Sequence, residues 1–206
     1  AFEYQLTATD IDADVVDEHL TFVAVTTPDW MTVSSTGLIT GTPENFDVGD
    51  HTVTVKVTDN AGVSDTKRFS LTINNINDAP TLEAISDVST DEDATFEYQL
   101  KATDIDAVVV DETLTFEAVE KPGWMNVSSS GLITGTAEND DVGEHAVTVK
   151  VTDSVGESDT KTFTLLVNNT NDAPVLEVIH DSSTDEDTAF EYQLTATDID
   201  ADVVDE

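Results

Sequence analysis

Phe96, Tyr98, Leu100 and Ala102 alternate with Glu97, Gln99 and Lys101, the period-two pattern of a strand with one buried face. Leu114, Phe116 and Ala118 repeat that alternation, Val147, Val149 and Val151 carry it most cleanly, and Phe163, Leu165 and Val167 carry it last. Trp124-Met125-Asn126-Val127 and Leu132-Ile133-Thr134 flank a Ser-Ser-Ser-Gly turn and read as a hairpin. Thr81 to Val88 reads as a weaker edge strand, and no stretch shows a helical period. Seven short strands, with turns about every ten residues, predict an all-β Greek-key sandwich.

The pattern recurs. Phe2-Glu3-Tyr4-Gln5-Leu6 returns as Phe96–Leu100 and Phe190–Leu194, a period of 94 residues, and residues 2–77 match 96–171 at 55 of 76 positions. That period equals one whole sandwich domain of about 100 residues and exceeds the helical repeats. It predicts tandem β-sandwiches: 1–77 without its first strand, a complete repeat at 78–171, and the start of a third at 172–206. Near-identical tandem units suit a protein that gains by being long, because an active site rarely needs neighbouring copies. Residues 172–189 offer the initial strand that 1–77 lacks, so strand exchange and head-to-tail self-association are expected.

Charge changes the picture. The chain carries 44 Asp and Glu against 7 Lys and Arg, a formal net charge of −37. Nucleic acid and direct membrane contact both call for a basic surface, so both are excluded as partners. Cysteine is absent, which leaves metal as the common staple for a small β-domain.

The acids sit at strand ends. Asp104-Ile105-Asp106 closes the Phe96 strand and recurs as Asp10/Asp12 and Asp198/Asp200. In extended chain, residues two apart project to one side. Two carboxylates about 5 Å apart repel by about 3 kcal/mol at an effective dielectric near 20, and a cation between them removes that cost. Hard oxygen donors without cysteine select Ca²⁺. Asp59 and Asp153 end the Val-rich strands, and Asp91-Glu92-Asp93 precedes the Phe96 strand. Glu44 and Asp47, with Glu138 and Asp141, occupy the loop before Gly49 and Gly143. Asn75, Asn77 and Asp78, with Asn169, Asn171 and Asp172, form the joins, whose prolines favour a stiff extended chain. Asp10-x-Asp12-x-Asp14 suggests an EF-hand, but Val15 and Thr21 stand where that loop needs Gly and Glu.

Leu100-Lys101-Ala102-Thr103-Asp104-Ile105-Asp106, Trp124-Met125 through Gly131–Thr136, Val149–Asp153 and Asn169-Thr170-Asn171-Asp172-Ala173-Pro174 together resemble the bacterial cadherin-like repeats of the dystroglycan type. The resemblance covers the whole chain and implies Ig-like/cadherin-like sandwiches with Ca²⁺ held between repeats. It implies a first junction of Glu44, Asp47, Asn75, Asn77 and Asp78 with Asp104, Asp106 and Asp153. A second would use Glu92, Glu138, Asp141, Asn169, Asn171, Asp172, Asp198 and Asp200. The joins depart from the cadherin pattern: they open with Asn75 and Asn169 and are shorter, which implies fewer ions or weaker binding. The first copy, without its Glu, is expected to have a crippled lower site.

The function expected is a non-catalytic, Ca²⁺-stiffened spacer of a large extracellular bacterial surface adhesin. Its partners would be neighbouring repeats of the same chain. Polysaccharide or homophilic binding is the alternative. An aromatic sugar platform would need exposed tryptophan, whereas Trp30 and Trp124, each beside a Met in an apolar strand, read as core. Carboxylate pairs also serve glycosidases, but such pairs in every copy without an apolar cleft do not suit catalysis. His51 and His145 read as surface residues.

Overall fold

Every strand of the computed structural model, which describes residues 1–11 and 19–202, falls on an alternating apolar stretch or beside one. The residues group into two units: Ala1–Asp78 with Asp104–Glu112, and Ala79–Thr103 with Thr113–Glu206.

In the first unit, β1 (Phe2–Gln5), β4 (Leu38–Gly41) and β3 (Met31–Val33) form one antiparallel sheet in the order β1-β4-β3. A second sheet has the order β2-β5-β6, from β2 (Thr21–Thr26), β5 (Gly49–Thr58) and β6 (Ser64–Ile73). Met31, Ile39, Val53 and Val55 make its core, with Phe69 and Leu71 only half-buried against it.

The second unit repeats this plan with an added strand. The expected edge strand at 81–88 is two pieces, β7 (Thr81–Leu82) and β8 (Val88–Asp91). β9 (Thr95–Gln99) and β10 (Ala102–Thr103) divide the Phe96 strand, and β7 pairs with β10. One sheet runs β12 (Asn126–Val127), β13 (Leu132–Thr136), β9. The other runs β11 (Thr115–Glu120), β14 (Gly143–Thr152), β15 (Ser158–Asn168), β8, with β8 parallel to β15. Val147, Val149, Val151 and Leu165 are fully buried between the sheets. Thus the repeat is the expected seven-strand sandwich, with its first two strands interrupted. The start of the third repeat contributes β16 (Val175–Leu176) and β17 (Ala196–Thr197), which pair.

The tryptophans belong to the packing. A methyl group at Gly135 would come within 2.7 Å of both the Trp124 carbonyl oxygen and its ring, so the indole lies flat on glycine backbone. Trp124 packs against the core of its unit, and Trp30 does so in the other. Gly131, at φ 84°, closes the β12–β13 turn, where a side chain is disfavoured. His51 and His145 are half-buried rather than surface residues, and Trp30 meets His51 edge-on with ring centroids 6.1 Å apart.

One departure from the sequence reading is helical. Asp104 caps a single turn, α1 (Ile105–Val109), by accepting a hydrogen bond from the Asp106 N–H at 2.8 Å. Asp104 and Asp106 therefore do not share one face of an extended strand. The aspartate side chain satisfies a free N–H of the turn, which outweighs continued pairing at the strand end.

Asp159 anchors β7. It accepts from the Leu82 N–H at 3.0 Å and the Thr160 N–H at 2.8 Å, with Lys161 Nζ at 3.4 Å. Burial alone would raise its pKa, but these donors together hold the carboxyl below its ordinary value. A carboxylate depressed in the folded state stabilises above its unfolded pKa of about 3.9 and loses that contribution as pH falls through the folded value. Asp159→Asn is expected to lower the Tm of this unit at pH 7, with the gap to the parent closing below about pH 4. Paired melts at pH 7 and pH 3 check this.

Candidate metal centre

In the second unit the chain turns sharply at Asp91–Ala94. The Glu92 N–H donates to the Asn168 carbonyl at 3.0 Å, and the Asp93 N–H to that of Ala137 at 2.9 Å. Asp93 adopts a φ of 57°, which aspartate tolerates better than most residues. These bonds drive Glu92 inward until it is 2% exposed. Its Oε1 accepts from the Thr170 N–H at 2.6 Å, whereas Oε2 is buried without a partner. A carboxylate buried in this way costs several kcal/mol unless a positive charge lies beside it.

Around Glu92 lie residues far away in sequence. The Asn169 side-chain amide ends 3.1 Å from Glu92 Oε1 and 3.2 Å from Asp200 Oδ1. With its nitrogen on that side, it donates to both carboxylates. With its oxygen there, three oxygens converge, which is repulsive without a cation and a good hard-ion donor set with one. Asp200 also accepts from the Asp172 N–H at 2.5 Å and from Asn139 Nδ2 at 3.2 Å, and its own N–H donates to Asp198 Oδ1 at 3.1 Å. Asn139 Nδ2 lies 3.5 Å from Asp172 Oδ2.

The first unit contains the Asn139, Asp172 and Asp200 part of this arrangement 94 residues earlier. Asn45 Nδ2 donates to Asp78 Oδ2, and the Asp78 N–H donates to Asp106 Oδ2 at 2.7 Å. Asp106 is fully buried, and its Oδ1 has no partner. Asp104, capped by the same turn, is also buried and places a carboxylate oxygen within 4.8 Å of one on Glu112. Asp10 and Asp59 line one cleft of about 170 Å³ in this unit. Asp12 lies outside the described residues, as does Asp14.

Other expected ligands are placed differently. Glu44 and Glu138 are exposed, and their N–H groups donate to Asp47 Oδ2 at 2.8 Å and Asp141 Oδ2 at 3.0 Å. Asp47 and Asp141 therefore cap their own 3-10 turns, Asn45–Asp47 and Asn139–Asp141. His51 and His145 brace these turns through Nε2 on the Asp47 and Asp141 carbonyls, at 2.5 and 2.6 Å. Asn77 and Asn171 use Nδ2 on the carbonyl of the following aspartate, at 3.1 and 2.7 Å, and Asn75 is half-buried. Asp153, in the second unit, is 6% exposed and accepts from the N–H groups of Val155, Gly156 and Glu157 through Oδ1.

Sequence reasoning missed Asn45, Asn139 and Glu112. The amides recur at one position in both copies between expected acids, which was the available signal; Glu112 becomes relevant only because the helical turn folds it back towards Asp104.

Two stacked sheets with acidic turns at their ends define an Ig-like sandwich with a cadherin-like fold. The profile of the family described as "Putative Ig domain" matches residues 1–74 and 79–168, and the chain belongs to that family. Among curated proteins, none matches the chain in sequence. Among solved structures, it is similar to human CDH23 EC21-23 (TM-score 0.65, 19% identity, covering 97% of this chain and 75% of that one). Drosophila N-cadherin EC1-4 aligns at TM-score 0.53 and 17% identity, over 96% of this chain and 53% of that one. The human Desmocollin-1 ectodomain aligns at 0.51 and 16%, over 95% and 42%. The chain thus spans about half or less of these last two structures. Among the described residues, no helix is long and apolar enough to cross a membrane.

Proposed function

We propose that this chain is a non-catalytic, calcium-stiffened spacer from a large extracellular bacterial adhesin, supporting cell-surface and cell–cell attachment. The observation that carries the proposal is Glu92: buried, with one oxygen unpartnered, and facing Asn169 of the join, whose amide also reaches Asp200 beyond it. In the first unit Asp106, the counterpart of Asp200, also has a buried oxygen, Oδ1, without a partner. The residues fit a hard divalent cation. Glu92, Asn169, Asp172 and Asp200, with Asn139 beside them, would hold one ion, and Asp78, Asp104, Asp106 and Glu112 another.

Calcium would neutralise these carboxylates and tie a sandwich to the first turn of the next repeat. Without it, the amides of Asn45, Asn139 and Asn169 and a few backbone N–H groups are the donors that face these acids, and the short join samples more angles. Dissociation constants of about 10⁻⁴–10⁻³ M suit extracellular calcium. The partners are neighbouring repeats and further copies of the chain. Small-angle scattering tests the stiffening: the maximum dimension is expected to grow in millimolar calcium and shrink in chelator. An identical value in both would end the proposal. A polysaccharide-binding role gains nothing from the tryptophans, which pack into the cores.

A further inference from the structure

The two copies differ at one exposed position of their short hairpin. In the first unit Thr32, on β3, reaches across to β4: its hydroxyl lies 2.9 Å from that of Thr40 and donates to the Thr40 carbonyl at 3.3 Å. In the second unit Asn126, on β12, takes that place opposite Thr134, the counterpart of Thr40. The Asn126 side chain is exposed and, among the described residues, has no hydrogen-bond partner. Asparagine is depleted in strands, whereas threonine suits them, and cross-strand hydroxyl pairs help to hold a sheet together. The second unit thus carries the poorer strand residue, with an unused amide.

The asparagine brings a different property. With Val127 and Ser128 it forms Asn-Val-Ser, the Asn-x-Ser/Thr pattern of an acceptor for N-linked sugar on secreted proteins. Ser128 is matched by Ser34 in the first copy, so the change from Thr32 to Asn126 alone completes the pattern. A second match, Asn168-Asn169-Thr170, is closed by the fold. Asn168 is half-buried, its Nδ2 donates to Asp91 Oδ1 at 3.0 Å, and its carbonyl accepts from the Glu92 N–H. That amide is committed to holding β8 against β15.

We infer that Asn126 is an N-glycosylation site, the acceptor for a sugar delivered by an activated glycosyl phosphate. The inference rests on the extracellular role proposed above. In the transfer, a bond forms from Asn126 Nδ2 to the anomeric carbon of the sugar as that carbon's bond to the phosphate oxygen breaks. The phosphate leaves with the bonding electrons and the amide nitrogen gives up one proton, so nothing is oxidised or reduced. β12 is the last strand of its sheet, so the sugar stands at an unpaired edge. A bulky hydrophilic group there blocks pairing with a further strand.

Peptide mapping by mass spectrometry, on the whole chain from the cells that produce it, tests the site. The peptide with Asn126 is expected to carry the added mass of one or more sugars on that residue, and the peptide with Asn168 none. Asn126→Thr, which installs the residue of the first unit, and Ser128→Ala are each expected to abolish the addition, while Ser128→Thr retains it. Soluble extract with a nucleotide sugar, or membranes with a lipid-linked one, should glycosylate unmodified chain and so show which donor serves. The inference is overturned by an unmodified Asn126 peptide, by equal modification at Asn168, by modification that survives Ser128→Ala, or by transfer from neither donor. Calcium titration of the same variants reads the spacer proposal separately, because Asn126 belongs to neither candidate ion set.

Discussion

Glu92→Gln is expected to weaken calcium binding at the second-unit site at least about tenfold, because ligand charge sets affinity in oxygen-donor calcium sites. In chelator the variant should melt no lower than the parent. The glutamine oxygen can still accept from the Thr170 N–H, and the buried charge with its orphan Oε2 is gone. Removing an uncompensated buried carboxylate relieves a desolvation cost of several kcal/mol, part of which the surrounding donors already offset. The diagnostic is thus a pair of measurements, calorimetric titration and thermal melts with and without calcium. The parent gains stability with calcium by mass action, and Glu92→Gln loses most of that gain. A variant that binds calcium as the parent does would remove Glu92 from the site and leave its burial without a purpose.

Leu165→Ala should destabilise the second unit by about 2–5 kcal/mol, the range for truncating a fully buried leucine. Leu71→Ala, the same change in the equivalent strand of the first unit, should cost clearly less, about 1 kcal/mol, because removing half-exposed surface forfeits less transfer energy and leaves no closed cavity. Leu165 is 0% exposed on β15 beside β8, whereas Leu71 borders an open groove. Denaturant unfolding of each variant, followed at Trp124 or Trp30 with the other tryptophan replaced by Phe, separates the two costs. Equal losses would mean that the groove is closed in solution.

Much of the architecture was legible from alternation alone. Val147, Val149 and Val151 read as a strand and are one; Phe163, Leu165 and Val167 likewise. The hairpin from Trp124 to Thr134 was marked by its Ser-Gly turn, and both tryptophans pack half-buried against the cores. The interruption of the first strand was not legible, because Thr81–Asp91 pairs in two directions, first with β10 and then in parallel with β15. A period-two pattern records which face is buried, not which neighbour a strand chooses.

The site was half legible. Asp104, Asp106, Asn169, Asp172 and Asp200 were recognised as oxygen donors at strand ends and joins, and the first two are buried as a cation site would require. The geometry between Asp104 and Asp106 was misjudged, since a side-chain cap on a free N–H started a helical turn where extended chain was expected. The exposed glutamates Glu44 and Glu138 stood in the sequence as plausible ligands, while the amides beside them reach the linker aspartates.

By itself the sequence determined the repeat length, the all-β sandwich and the acid-rich strand ends, because each follows from local periodicity or composition. Only the tertiary structure decided that Glu92 is buried, that Asn139 and Asn169 reach the carboxylates, and that one unit bears an open groove. Those facts depend on residues up to 78 positions apart meeting through hydrogen bonds and strand crossovers, and no local pattern encodes such meetings.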